Sequence, residues 1–151
     1  QNKRFFMRHQ KKGRKLNRGF FHRKALFINM AASLVINKRI ITTHPKAKEL
    51  QSYVERLVTY AKKNDVHGRR LIQSKIIGKL SKSVANELIH NIAPQYSERN
   101  GGYTRVIKLE NRKNDDAVKA LIEFVSLTVE KEEDTEEKDS KSEAKIISQK
   151  S

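Results

Sequence analysis

Apolar residues begin to recur at helical spacing only after about residue 21. Leu26, Phe27, Met30, Ala31, Leu34 and Val35 fall three and four apart, which predicts a first helix from near His22 to near Asn37. Ile40-Ile41-Thr42-Thr43 is short and β-branched and predicts a strand. Pro45 suits a first helical turn, with Thr43 or His44 available as cap and Glu49 near the positive end of the helix dipole. Ala47, Leu50, Val54, Leu57, Val58 and Ala61 then make an unbroken apolar stripe, so a second helix is expected from Pro45 to about Lys63, where Asn64-Asp65 breaks it. A third, about Gly68 to Gly78, is expected to bury Leu71, Ile72, Ile76 and Ile77. A fourth, about Val84 to Ile92, has Ser83 as cap, Pro94 as stop, and Val84, Leu88, Ile89 and Ile92 inward.

The pattern changes at Asn100-Gly101-Gly102, a turn signal. Tyr103 to Leu109 reads as a strand, 111-NRKNDD-116 as its turn and Val118 to Val125 as the returning strand. This hairpin can pair with the strand at Ile40 under a cover of helices. The expected class is α+β: one domain of about four helices packed on a small three-stranded mixed sheet. The domain is expected over 22–127. Before it, residues 1–21 form a basic arm without apolar periodicity. After it, residues 128–151 are low in complexity and charged, the pattern of a segment that is disordered or ordered by a partner. No internal repeat is present.

Composition narrows the function. A chain of 151 residues can bury one real core, but only 36% of it is hydrophobic while 33% is charged, so the charged surface is large. The net charge of +16 and a pI near 10.2 point to a polyanionic partner. The charge is also segregated. Residues 1–48 hold fourteen Lys or Arg and no acid, and Glu49 is the first carboxylate. Residues 130–151 hold eight acids and five bases, whereas residues 1–129 hold 28 bases against nine acids, so the tail masks how basic the body is. With no cysteine, disulfides and thiolate metal sites are excluded, and no apolar run approaches the length of a membrane span.

Catalytic chemistry finds no footing. The five histidines, His9, His22, His44, His67 and His90, lie on separate segments without metal-ligand spacing, and His90 reads as a half-buried polar contact. No nucleophile elbow, phosphate-binding loop or dinucleotide glycine pattern occurs. Asp115 and Asp116 read as turn formers with Asn114 rather than as a pair for acid–base work. No catalytic residue, cofactor or metal is expected.

The arm carries the signal. Arg4, Arg8, Lys11, Lys12, Arg14, Lys15, Arg18, Arg23 and Lys24 cannot share one helical face, unlike the readers on a DNA-recognition helix. An irregular arm can instead thread between phosphates, each cation releasing condensed counterions. Gly13 and Gly19 let the backbone come close, and Phe20, Phe21 and His22 offer flat groups to unpaired bases, which suits folded RNA. The plainer alternative, a solvated tail or localisation signal, fits less well because the basic run continues into a helix start at His22-Arg23-Lys24. Lys46 and Lys48 beside Thr42 and Thr43 oppose the dipole of the second helix. That arrangement makes sense if they share a phosphate with the helix N-terminus, and ordinary surface lysines explain the spacing equally well. Arg69 and Arg70 pose the same choice at the third helix. The segment 99-RNGGYTR-105, with Arg99, Gly101, Gly102, Tyr103 and Arg105, is either a hairpin lead-in or an RNA-contacting loop.

Three elements in order, 7-MRHQKKGRKLNRGFFHRKALFINMAASLV-35, 40-IITTHPKAKEL-50 and 101-GGYTRVIKL-109 preceded by 93-APQYSER-99, resemble the bacterial-type ribosomal protein seventeen family of the large subunit. The resemblance covers residues 7 to 125. It implies an α+β domain bound to large-subunit ribosomal RNA near the exit of the nascent-chain tunnel, beside ribosomal proteins twenty-two and thirty-two, with no membrane and no small-molecule substrate. It assigns RNA contact to Arg8, His9, Lys11, Lys12, Arg14, Asn17, Arg18, His22, Arg23, Thr42, Thr43, Lys46, Lys48, Tyr103 and Arg105. Where family members carry R-x-GD-x-A in the hairpin turn, this chain has 112-RKNDDAVKA-120 and lacks the glycine, which puts the turn geometry in question. Residues 1–6 ahead of Met7 suggest processing of a longer precursor, and the APQY element and altered turn look more like mitochondrial members. The expectation is a mitochondrial ribosome, with a bacterial protein as the alternative. A free-standing architectural nucleic-acid binder is the competing function.

Overall fold

The computed structural model describes residues 13–125. The expectations for Arg4, Arg8, His9, Lys11, Lys12 and the tail beyond Val125 lie outside the described residues.

Helix α1, Phe20–Asn37, starts two residues earlier than its apolar pattern, from Gly19 in extended conformation, and buries Ala31, Ala32, Leu34 and Val35. Lys38 ends it at a φ of 63°, unusual for a lysine. Its ammonium donates to the Val35 carbonyl at 3.0 Å and pairs with Glu87, holding the left-handed residue in place. Strand β1, Arg39–Thr43, leads without a loop into α2, His44–Lys62.

Helix α2 is the spine. All six residues of its predicted stripe, Ala47 to Ala61, are buried, and it touches all three strands of the sheet and most of the other helical segments. Burying an apolar stripe of that size outweighs the absent N-terminal side-chain cap, since the stripe removes whole aliphatic side chains from water while a cap is worth about 1 kcal/mol. Tyr53 on its flank stacks on Phe27 of α1 at 6.2 Å and donates its hydroxyl to the Lys75 carbonyl at 2.8 Å.

Helix α3, Val66–Lys75, begins before the expected Gly68 because the Asp65 carboxylate caps it, accepting from the Gly68 amide. It also ends early. Ile76 is buried, but Leu71 is only half-buried and Ile77 is 60% exposed, so the inward set was smaller than its spacing suggested. Helix α4, Ser81–Asn86, starts before Ser83 and uses no side-chain cap, which removes Ser83 from that role. It widens into a π-helical turn over Glu87–Ile92 and tightens into a 3-10 turn over Ala93–Tyr96. Pro94 therefore does not stop the helical run. It sits in the first turn of the new segment, where its missing N–H leaves no bond unmade. Leu88, Ile89, Ile92, Ala93 and Tyr96 face inward, which turns His90 outward; it is exposed rather than half-buried.

Strands β2, Thr104–Asn111, and β3, Val118–Phe124, complete a sheet of order β1-β3-β2. The sheet is antiparallel throughout, not mixed. A parallel pair would have needed β1 beside β2, and β3 separates them. It takes the centre because its alternate residues Ala120, Ile122 and Phe124 can be buried against α2. The hairpin turn forms without the family glycine. Among its described residues the positive φ falls on Asp116, a residue type that tolerates it, while Asp115 accepts from Arg112 Nε at 2.8 Å and from the Ala117 amide at 3.3 Å. That guanidinium holds the Asp115 carboxyl below its usual range.

Candidate nucleic-acid interface

The arm is not extended where it is described. Lys15-Leu16-Asn17-Arg18 form a reverse turn, closed by the Arg18 amide on the Lys15 carbonyl at 3.2 Å, with Leu16 at φ 54° and Asn17 at φ 50°. Two guanidinium groups brace it. Arg18 Nη1 donates to the Leu16 carbonyl at 2.9 Å, and Arg23 Nη1, from the first turn of α1, reaches the Arg18 carbonyl at 3.0 Å and the Lys15 carbonyl at 3.5 Å. Arg18 and Arg23 thus shape the arm from within, while Arg14, Lys15 and Asn17 stand exposed on it. The break between arm and helix lies at Gly19, and Phe20, Phe21, His22 and Lys24 project from the helix start. Phe20 and Phe21, packed edge to face at 5.3 Å, are 64% and 82% exposed, so large flat groups stand in water beside cations.

Glu49 joins this turn to α2. Its carboxylate lies 3.7 Å from Arg14 Nε and against Gly13, which adopts a φ of 101°. The arm therefore ends at the first turns of α2, beside Thr42, Thr43, Lys46 and Lys48. Lys48 is exposed and Lys46 half-buried, and the first turn of α2 contains no acid and no side-chain cap. Free first-turn amides next to four cations are an arrangement suited to phosphate oxygens.

The second cluster lies at the other end of α2. Lys62 donates to the Arg99 carbonyl at 2.7 Å, about 20 Å along the helix from Glu49 at 1.5 Å rise per residue. Arg99 Nε donates to the Gly101 carbonyl at 3.2 Å, and Gly102 takes a φ of 61° that favours glycine. Tyr103 leaves the expected contact set: it is 3% exposed, its ring packs on Tyr96 at 5.3 Å, and the Lys62 ammonium sits 5.5 Å from its centroid. Core packing claimed the aromatic ring that the motif offered to a base. Arg105 is exposed and bridges to Glu123 across the strand pair at 2.6 Å. At α3, Arg69 ties to the Asn86 side chain of α4, whereas Arg70 is exposed.

Sequence reasoning missed Lys62, which no motif marks, and Arg39, which strand register places opposite Glu123 and so in line with Arg105. It also missed Glu49 as the carboxylate that receives the arm. Among the described residues no group of His, Asp and Glu is placed to hold a metal ion, and no helix is long and apolar enough to cross a membrane.

Among the described residues these surfaces present exposed cations and flat groups, and no cluster of metal-ligating side chains. The family model for ribosomal protein L17 matches residues 26–125. Large ribosomal subunit protein bL17 of Allorhizobium ampelinum is 51% identical over 124 residues, covering 82% of this chain and 86% of that protein. The Agrobacterium fabrum protein of the same name is 48% identical over the same shares, and that of Sulfurihydrogenibium sp. is 50% identical over 79% of this chain and 97% of its own length. The chain belongs to the ribosomal protein L17 family. It is a structural ribosomal component and not an enzyme.

Proposed function

We propose that the chain is a structural constituent of the large ribosomal subunit that binds and stabilises large-subunit rRNA and so supports translation. One observation carries this: the braced turn at 15–18 presents Arg14 and Lys15 beside the uncapped first turn of α2 with Lys46 and Lys48, a preformed cationic cradle. Arg8, His9, Lys11 and Lys12 extend the same basic run ahead of it. Arg99, Gly101, Gly102 and Arg105 offer a second contact about 20 Å away along α2, and Arg70 on α3 adds a further exposed cation. Arg69 acts by fixing α3 on α4.

The position near the tunnel exit, beside ribosomal proteins twenty-two and thirty-two, belongs to the same proposal and rests on the resemblance. On compartment the relatives pull against the sequence expectation: all three are bacterial proteins, which supports a bacterial ribosome over a mitochondrial one.

Deleting residues 1–18 tests the reading, because it spares the helix that begins at Phe20. The truncated chain is expected to keep its circular dichroism spectrum and to leave the large-subunit peak on sedimentation. Normal incorporation would overturn the proposal. A free-standing architectural binder would instead prefer duplex DNA to structured rRNA at moderate salt.

A further inference from the structure

The chain leaves the sheet through an unbalanced patch of cations. Val125 is held by its amide on the Tyr103 carbonyl at 2.9 Å and by the Tyr96 hydroxyl on its own carbonyl, and the Phe124 amide bonds the Lys38 carbonyl at 3.2 Å. The exit point thus lies between the start of β1 and the start of β2. Register places Arg39, Glu123 and Arg105 in one row across the three strands, on one face. Lys62 meets the Arg99 carbonyl and the Tyr103 hydroxyl, and Tyr103 stands two residues ahead of Arg105 in the chain. The Glu123 carboxylate is committed to Arg105 and its side chain is only 17% exposed. Arg39, Lys62 and Arg99 pair with no carboxylate among the described residues.

Five residues beyond Val125 the sequence reads 130-EKEEDTEE-137, six acids with one lysine. An extended chain covers at most about 3.5 Å per residue, so Glu130 can lie up to about 17 Å from Val125, and the later acids reach further. Each exposed ion pair is weak in isolation. A tether this short, however, sets a local concentration on the order of millimolar, which makes several weak pairs hold together.

We infer that residues 130–137 are the intramolecular occupant of the Arg39–Arg105–Arg99–Lys62 patch in the RNA-free protein, where their carboxylates take the places of phosphates until RNA displaces them. The segment then acts as a competitor that any polyanion must outbid at this patch. A ligand with a second foothold, such as the arm and α2 cradle, still binds tightly; one that relies on the patch alone does not. The inference rests on the proposed RNA-binding surface only for the displacement step.

The test compares the full chain with the variant E130Q, E132Q, E133Q, D134N, E136Q and E137Q, in two measurements. Without RNA, the backbone amide resonances of Arg39, Arg99 and Arg105 are expected to differ between the two proteins while those of Phe21 to Lys24 coincide, independently of protein concentration. With a short RNA duplex of unrelated sequence as probe, the neutralised variant is expected to bind about tenfold more tightly, as removal of a tethered competitor at roughly ten times its own dissociation constant requires. Coinciding patch resonances, shifts spread evenly over all basic segments, shifts that vanish on dilution, or measurable but equal duplex affinities each overturn the inference. If the patch resonances differ but neither protein binds RNA, the RNA-binding proposal falls with the competition step and the docking contact stands. If both bind RNA equally and the patch resonances coincide, the docking falls and the RNA-binding proposal stands.

Discussion

Arg23 is the residue at which charge and geometry can be separated. Arg23→Lys keeps the positive charge but loses the fork of donors that reaches the Arg18 and Lys15 carbonyls at 3.0 and 3.5 Å. The turn it braces holds Leu16 at positive φ, a conformation costing roughly 1–2 kcal/mol for such a residue, with a smaller cost at Asn17. A bond from a charged donor is worth about 1.5–3 kcal/mol, and the 3.5 Å contact contributes little of it. Without Arg23 the turn loses most of what offsets its strain, and RNA must order it on binding. The expected result is a loss of about tenfold in affinity, corresponding to ~1.4 kcal/mol, with the salt dependence unchanged because the charge count is unchanged.

Arg14→Ala with Lys15→Ala is the complementary perturbation. Neither side chain braces the turn, and the 3.7 Å pair of the exposed Arg14 with Glu49 adds little stability. If each makes the phosphate contact proposed for it, the slope of log affinity against log salt falls by about 1.8, and between about 50 and 200 mM salt the variant loses roughly twelvefold less affinity than the parent. Fluorescence anisotropy with a labelled large-subunit rRNA fragment at four salt concentrations measures both. If Arg23→Lys flattens the slope while affinity at low salt is kept, or if the double alanine leaves the slope untouched, the division of labour between bracing and contacting residues is wrong.

Three further outcomes follow from the packing. A methyl group at Gly68 would lie 2.5 Å from the Tyr60 carbonyl oxygen, which α2 holds fixed, and 2.8 Å from the capping Asp65 Oδ1; Gly68→Ala is therefore expected to destabilise by about 2 kcal/mol despite a helix-propensity gain near 1 kcal/mol, and an unchanged or raised denaturation midpoint would refute this. Burial pushes the Tyr96 phenol up to about 12, from a usual value near 10. A raised folded value means that the stability it confers is intact below about pH 10 and lost as pH climbs towards 12; alkaline melts should show this decline in the parent and a smaller one in Tyr96→Phe, whereas equal declines would refute it. Leu50→Ala, at a fully buried position in the middle of the α2 stripe, is expected to cost about 2–5 kcal/mol in urea unfolding, and a cost below 1 kcal/mol would place the core elsewhere.

The sequence alone determined the elements that burial enforces. The α2 stripe from Ala47 to Ala61, the β-branched strand before it and the hairpin between Thr104 and Phe124 were all legible, because a period of 3.6 or 2 in apolar residues leaves one solution for which side faces the core. The basic segregation was legible too, since no core can take unpaired cations. What periodicity does not encode is which neighbour meets which. Strand order, and with it the antiparallel sheet, followed from β3 burying Ala120, Ile122 and Phe124 against α2. Tyr103 moved from interface to core because Tyr96, seven residues upstream, needed a ring to pack on. Arg18 and Arg23 became braces because a turn through Leu16 and Asn17 presents carbonyls to them. The amount of positive charge is a property of the sequence, but which cations are free to meet a phosphate is set by the acceptors that tertiary contacts bring within 3–4 Å of each one.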